Sequence, residues 1–417
     1  MNSGDTAWML TSSALVLFMT PGLAFFYGGM VRAKNVLGML MKNYVAMGIV
    51  TITWIFVGYT LAFGPDMGGG FLGGFDYLGL KGVGVGFGEG EEAGAIHGAT
   101  VPDALIMVFQ MMFAIITPAL ISGAIAERMK FSAWAVFIAL WSILVYAPMA
   151  HWVWSAHGFI FEQIKAVDFA GGTVVHINAG AAALAAVLIL GPRLGFRQSP
   201  IRPHSLPLTL LGAGILWFGW FGFNGGSSFG ANALGVNAFV VTQIAAAVAG
   251  MAWAMMEQFQ HGKPTTLGFA SGAVAGLVAI TPASGFVGYM AAVVIGLAAG
   301  VICYLALQIK FAFNFDDALD VVAVHLVGGI IGSLLTGIFS ESRINPAVLD
   351  GLFFGGGMTQ LIRQLIAVVI AFAFSFIMSF ILLKLIDMVV GLRASESEER
   401  RGLDVALHEE QSYALTE

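Results

Sequence analysis

Long apolar stretches alternate with short polar ones along the whole chain. A hydrocarbon core about 30 Å thick takes roughly 20 apolar residues in a helix. Eleven such runs can be marked, at about 6–30, 43–63, 101–126, 132–153, 168–190, 205–226, 237–259, 265–282, 287–309, 319–340 and 360–391. The pattern predicts an all-α polytopic membrane protein with eleven transmembrane helices. Met1-Asn2-Ser3-Gly4-Asp5 places no basic residue before the first run, so that run reads as a retained helix rather than a secretory signal. Two stretches are polar enough for water: a Gly-rich loop at 64–100, with Asp66, Asp76, Glu89, Glu91 and Glu92, and a charged tail at 392–417.

Composition sharpens this reading. The 417 residues are 58% hydrophobic and 10% charged, whereas soluble domains carry roughly 25% charge. A net charge of −6 and the single Cys303 argue against a nucleic-acid partner and a disulfide scaffold. No polar stretch is long enough for a nucleotide-binding domain, and Gly262-Lys263-Pro264-Thr265 lacks the spacing of a phosphate loop. Basic residues fix the expected orientation. With the N-terminus outside, 14 of the 18 Lys and Arg fall on the cytoplasmic side, leaving Lys81, Lys165, Arg343 and Arg363 outside. The expectation is N-out, C-in.

Three short segments recur in the same order. Phe26-Tyr27-Gly28-Gly29 echoes Phe223-Asn224-Gly225-Gly226, Ile116-Thr117-Pro118 echoes Ile280-Thr281-Pro282, and Asp168-x7-His176 echoes Asp317-x7-His325. Five runs per half is an odd number, which inverts the second half against the first. The chain therefore reads as an inverted five-plus-five repeat (about 6–190 and 205–340) with an extra helix at 360–391, a transmembrane domain over 1–391 and a tail over 392–417. Transporters built this way place their site at the repeat interface. His176 and His325 become symmetry mates near mid-membrane, where ionisable groups are costly and face functional cavities. Asp168 and Asp317 lie eight residues earlier, about 12 Å along a helix. They cannot touch the histidines, and a structural role at the helix N-terminus stands beside an electrostatic one.

The same residues carry a likeness. Asp168-Phe-Ala-Gly-Gly-Thr-Val-Val-His176-Ile-Asn resembles the signature of the ammonium transporter, methylammonium permease and Rhesus family. Pro21-Gly22, Ala124-Ile-Ala-Glu-Arg128, Ala150-His-Trp-Val-Trp154, Trp220-Phe-Gly-Phe-Asn224-Gly-Gly-Ser227 and Gly402-Leu-Asp404 agree with it. The bacterial and archaeal ammonium transporter branch fits better than the Rhesus branch. The resemblance implies a homotrimer in the cell membrane with one ammonium-conducting pore per subunit. It implies an outer recruitment site of Phe109, Trp154 and Ser227, a gate of Phe113 and Phe223, and a lumen with His176, His325 and Trp220. The tail resembles the part of family members that answers to PII-type nitrogen-signalling proteins. No cofactor, metal or enzymatic step is implied, and methylammonium is a possible second substrate.

Two departures stand out. Ser155-Ala156-His157 follow Trp154 where the family shows a glycine run, and Ala323 and Leu326 flank His325 where glycine is common. Leu326 beside the second histidine is expected to narrow the lumen or shift its helix. An ammonium sensor that binds the ion, conducts poorly and signals through its tail is therefore the alternative. An intramembrane enzyme would need a nucleophile such as Ser227 or Ser228 opposite a histidine.

Overall fold

The computed structural model describes residues 1–85 and 100–413; Glu89, Glu91 and Glu92 lie outside the described residues. Eleven apolar helices follow one another: α1 (Ser3–Met30), α2 (Ala33–Phe63), α3 (Asp103–Ile121), α4 (Phe131–Trp154), α5 (Gly172–Leu190), α6 (Leu206–Gly226), α7 (Ala233–His261), α8 (Thr266–Ile280), α9 (Tyr289–Ala312), α10 (Val322–Phe339) and α11 (Thr359–Val389). Ten of them are long and apolar enough to cross a membrane, and α8 is shorter, at 15 residues. Two short helices, α12 (Glu396–Arg401) and α13 (Leu403–His408), end the described chain.

Hydropathy located the helices, and local chemistry moved their ends. The second helix begins ten residues before the run at 43–63, because Asn35 to Lys42 wind into it. The fifth begins at Gly172 rather than at 168, because Asp168 stands outside it and accepts its first N–H groups. Asn232, Ser205 and Thr265 cap α7, α6 and α8 in the usual way, each side chain accepting a backbone N–H.

Two helix pairs make close approaches. α1 runs antiparallel to α6: Trp8 Nε1 donates to Gly225 O (3.2 Å) at one end, and Ser205 N donates to Gly29 O (3.1 Å) at the other. Gly212 makes that approach possible, since a Cβ there would collide with the backbone of Phe26. α5 and α10 cross likewise, a Cβ on Gly180 meeting Leu326 N at 2.5 Å. Around these pairs α2 packs on α3 and α4, as α7 packs on α8 and α9. α3 and α5 are the most enclosed spans, 89% and 83% buried, while α11, at 33%, lies along the outside against α5.

The bundle has two unlike ends. The loop end carries residues 64–73, 155–169 and 227–232. The tail end is tied by charge: Arg32 pairs with Glu127 (2.7 Å), and Arg193 grips Asp316 (2.8 Å). Burial pushes Asp316 up, yet the Arg193 bonds outweigh it and hold the carboxyl below its ordinary value. Burial pulls the Arg128 guanidinium down to about 10, against the attraction of Asp316. The tail folds back onto this end. Arg393 pairs with Glu399 (2.6 Å), Lys34 Nζ donates to Glu399 O and Arg400 O (both 2.7 Å), and Asp404 accepts from Leu37 N (3.0 Å) and Gly38 N (2.8 Å).

Candidate functional site

A cavity of about 440 Å³ opens at the loop end. Its wall from α3 is one helical stripe, Ile106, Phe109, Gln110 and Phe113, at i, i+3, i+4 and i+7. Trp154 from the end of α4 and Ser227 just past α6 complete the polar and aromatic face. The Trp154 indole is aimed by its Nε1, which donates to Asp168 O (2.9 Å). Ser227 Oγ donates to Phe223 O (2.8 Å), which leaves its lone pairs free to accept. Ser155, Ala156 and His157, the departure from the glycine pattern, line the same cavity. So do Phe63, Gly64 and Pro65 at the start of a loop held by Asp66. Each ring nitrogen of buried His151 faces an oxygen of that loop region, Nδ1 to Ala62 O at 2.9 Å and Nε2 to Asp66 at 3.2 Å. Burial pushes Asp66 up, but hydrogen bonds from His151, Gly68 and Gly70 outweigh it and leave the carboxyl lowered.

Phe113 and Phe223 form the floor. Their centroids are 4.2 Å apart at 31°, with Phe109 (4.9 Å) and Trp154 (5.7 Å, 88°) packed on Phe113. Phe113 lines the open cavity, while Phe223 lines a void of about 10 Å³ beneath it together with Phe26, Trp220, His176 and His325. A second void, of about 20 Å³, continues toward the tail end past His325, Phe26 and Asp320. Each has room for about one water-sized molecule.

The two histidines meet in this narrow part. His176 and His325 are 1% and 3% exposed, and both sit in π-helical turns at the starts of α5 and α10. Their Nδ1 atoms are 3.3 Å apart with rings stacked at 24°. Two Nδ1 atoms at that distance need one donor and one acceptor, so the pair holds opposite tautomers. Trp220 stacks on His176 (5.5 Å, 17°), with its Nε1 donating to Thr281 Oγ1 (2.9 Å). The structure thus brings Phe109, Phe113, Trp154, Ser227, Phe223, Trp220, His176 and His325 into one continuous column.

Asp168 and Asp317 stand apart from it as helix caps. Asp168 Oδ1 accepts from Gly171 N (2.8 Å) and Gly172 N (2.6 Å), and Oδ2 from Thr173 N (2.7 Å), Thr173 Oγ1 (2.5 Å) and Val174 N (3.2 Å). Asp317 Oδ2 accepts from Val322 N (2.7 Å), while its Oδ1 has no hydrogen-bond partner among the described residues. Leu326 does not narrow the column. It packs on Gly180 and lines neither void. Ser227 and Ser228 both donate to main-chain carbonyls, Ser228 to Gly225 O and Gly230 O.

Sequence reasoning passed over three contributors. Phe26 lines both voids, and its repeat-equivalence to Phe223 was the available signal. Thr281, which holds Trp220, sits in another of the repeated triplets. Gln110 was signalled only by its helical spacing from Phe109 and Phe113.

With this geometry in place, comparison with known proteins identifies the family. The model of the Ammonium Transporter Family matches residues 7–413. The chain is 48% identical to the ammonium transporter of Mycobacterium tuberculosis strain H37Rv, across 99% of this chain and 90% of that protein. It is 47% identical to ammonium transporter Amt1 of Archaeoglobus fulgidus, across 99% and 100%. Among solved structures it resembles Candida albicans Mep2 (TM-score 0.87, 35% identity, 95% of this chain and 88% of that one). It also resembles a chain titled Sensor Amt Protein (TM-score 0.87, 30% identity, 97% and 98%). The chain belongs to the ammonium transporter family and is a multi-pass membrane protein.

Proposed function

We propose that this family member is an ammonium transporter. It recruits NH4+ in the loop-end cavity, removes a proton at the Phe113–Phe223 floor and passes NH3 beside His176 and His325, the proton travelling separately. The observation that carries the reading is the unbroken column from Trp154 through the Phe pair to the His pair, wide at the loop end and room for about one small molecule below it.

Physical chemistry favours each step at its place. Aromatic faces attract a cation by about 0.5–1 kcal/mol when exposed and about 2 when desolvated, and Ser227 offers an acceptor for one of the four N–H groups. Among the described residues no charged side chain lines the void directly beneath the floor, and idealised burial of an ammonium-sized cation costs about 20 kcal/mol, several of which survive relaxation. If ammonium titrates like a lysine amine, shedding the proton at pH 7 costs about 4.6 kcal/mol. Deprotonation is the cheaper route. The His pair then supplies a donor and an acceptor to a neutral molecule and a relay for the proton, which makes transport electrogenic.

The arrangement we propose is eleven spans in an inverted five-plus-five repeat plus α11, with the loop end outside and the tail in the cytoplasm. Three copies assemble in the cell membrane, and a PII-type protein docks at the tail. Purified protein on a solid-supported membrane tests the transport step. An ammonium pulse is expected to displace charge, and radiolabelled methylammonium to enter vesicles. Ammonium binding with neither signal would establish a sensor instead and sink the transport reading.

A further inference from the structure

Gln110 lines the loop-end cavity on the same stripe of α3 as Phe109 and Phe113, and none of the transport steps uses its side chain. The residue is 6% exposed, and its Oε1 has no hydrogen-bond partner among the described residues. A buried carbonyl oxygen without a donor is expensive, and native proteins keep few of them without a use. Ile106, Phe109, Phe113 and Phe229 of the wall have no donor to offer, and the polar residues of the same cavity, Tyr77, Trp154, Ser155, His157 and Ser227, make no hydrogen bond to that oxygen. What the cavity receives, on the reading proposed here, is a cation whose whole surface is N–H donors.

We propose that the Gln110 side-chain carbonyl is a second polar ligand of the recruited ammonium, opposite in chemistry to the aromatic faces and additional to Ser227. The inference rests on the transport reading for the identity of the ion. Aromatic rings attract any cation of suitable size, so Phe109, Phe113 and Trp154 alone select charge. A fixed acceptor adds N–H geometry to that choice, because a quaternary ammonium of the same charge has no N–H and leaves the oxygen unpaired. The final torsion of a glutamine is soft and roughly two-fold, so a turn of the amide carries its oxygen to the cavity face when a donor arrives. An amide is also the right strength of acceptor for a site that must let go. A carboxylate there would hold the cation by charge.

Two substitutions of nearly unchanged volume test this, each with a retained melting temperature in detergent as the folding control. Ammonium binding is read by intrinsic tryptophan fluorescence, and transport by solid-supported-membrane currents in parallel. Q110L is expected to raise both the Kd and the KM for ammonium about tenfold or more, with the maximal current within twofold of the unsubstituted protein. Q110E is expected to move the Kd the other way and to lower the maximal current by slowing release. A packing role predicts instead that both variants shift Kd in the same direction, or that neither does, and either result overturns the proposal. Absence of ammonium binding by the unsubstituted protein overturns it too. Currents that are absent while Q110L still weakens binding would remove the transport reading and leave Gln110 as a ligand. Normal currents with an unaltered Kd in Q110L would do the reverse.

Discussion

The two halves of the molecule place the same residues at equivalent positions and finish them differently. Asp168 and Asp317 stand eight residues before His176 and His325, and each caps the helix that carries its histidine. Asp168 receives five hydrogen bonds on its two oxygens. Among the described residues Asp317 receives one on Oδ2 and none on Oδ1, in the company of Asp320 and of Lys310, whose Nζ donates to Asp317 O (3.2 Å) and Asp320 (2.6 Å). Phe223 is stacked on a second phenylalanine, while its mate Phe26 packs against Tyr27 (5.8 Å, 40°) between two small voids. One cap is fully bonded and the other keeps an unpartnered oxygen beside buried charge, so the two sides of the column are chemically unlike.

The sharpest break in the comparison is removal of the caps. Asp168→Ala strips five donors of their acceptor at a buried helix start and is expected to cost about 3 kcal/mol or more. Asp317→Ala should cost about 1 kcal/mol. Thermal melting of the two variants in detergent compares them directly, and equal losses would mean the caps are equivalent after all.

Next comes the pair of phenylalanines. Phe223→Ala opens the floor, so water reaches the His pair and osmotic water flux through reconstituted vesicles should rise severalfold. Phe26→Ala alone should leave that flux near the unsubstituted level, because the seal lies on the other side. Stopped-flow light scattering reads both, and a leak in Phe26→Ala would put the seal at the tail end.

Acid sensitivity separates the halves more gently. Burial, then the neighbouring Asp320 charge, push Asp317 up to about 6 against the pull of Lys310, while an unfolded Asp titrates near 3.9. The folded state therefore binds more protons between about pH 4 and 6, and its stability falls as pH rises through that window. Asp317→Asn should flatten this part of the melting-temperature profile and raise stability at neutral pH. A profile unchanged by the substitution would show that Asp317 ionises without penalty. The smallest effect is expected at Leu326, which faces Gly180 rather than the column. Leu326→Ala should alter the transport rate less than twofold in the same vesicle assay.

Much of this was legible before any coordinates. Ten of the eleven apolar runs fall on helices long enough to cross a membrane and the eighth on a shorter apolar helix, because burial in hydrocarbon leaves one pattern to read. The His pair and the Asp caps emerged from the repeat. Other features depended on contacts that no local pattern encodes. One phenylalanine stacked on another is indistinguishable in sequence from the 32 others. Leu326 looked obstructive because its neighbour is His325, yet adjacent residues on a helix point about 100° apart. The tail's contacts could not be read from its charge run, since Asp404 acquires its role only by meeting two N–H groups on α2.

That meeting joins positions 366 and 367 residues apart. At roughly 5–20 residues per second, translation takes on the order of 20 to 70 s to deliver Asp404 after α2 has been made. A chain cut short before Asp404 therefore carries every apolar helix while the carboxylate that accepts from Leu37 and Gly38 is still missing. The beginning of the bundle takes two of its bonds from a segment made long after it.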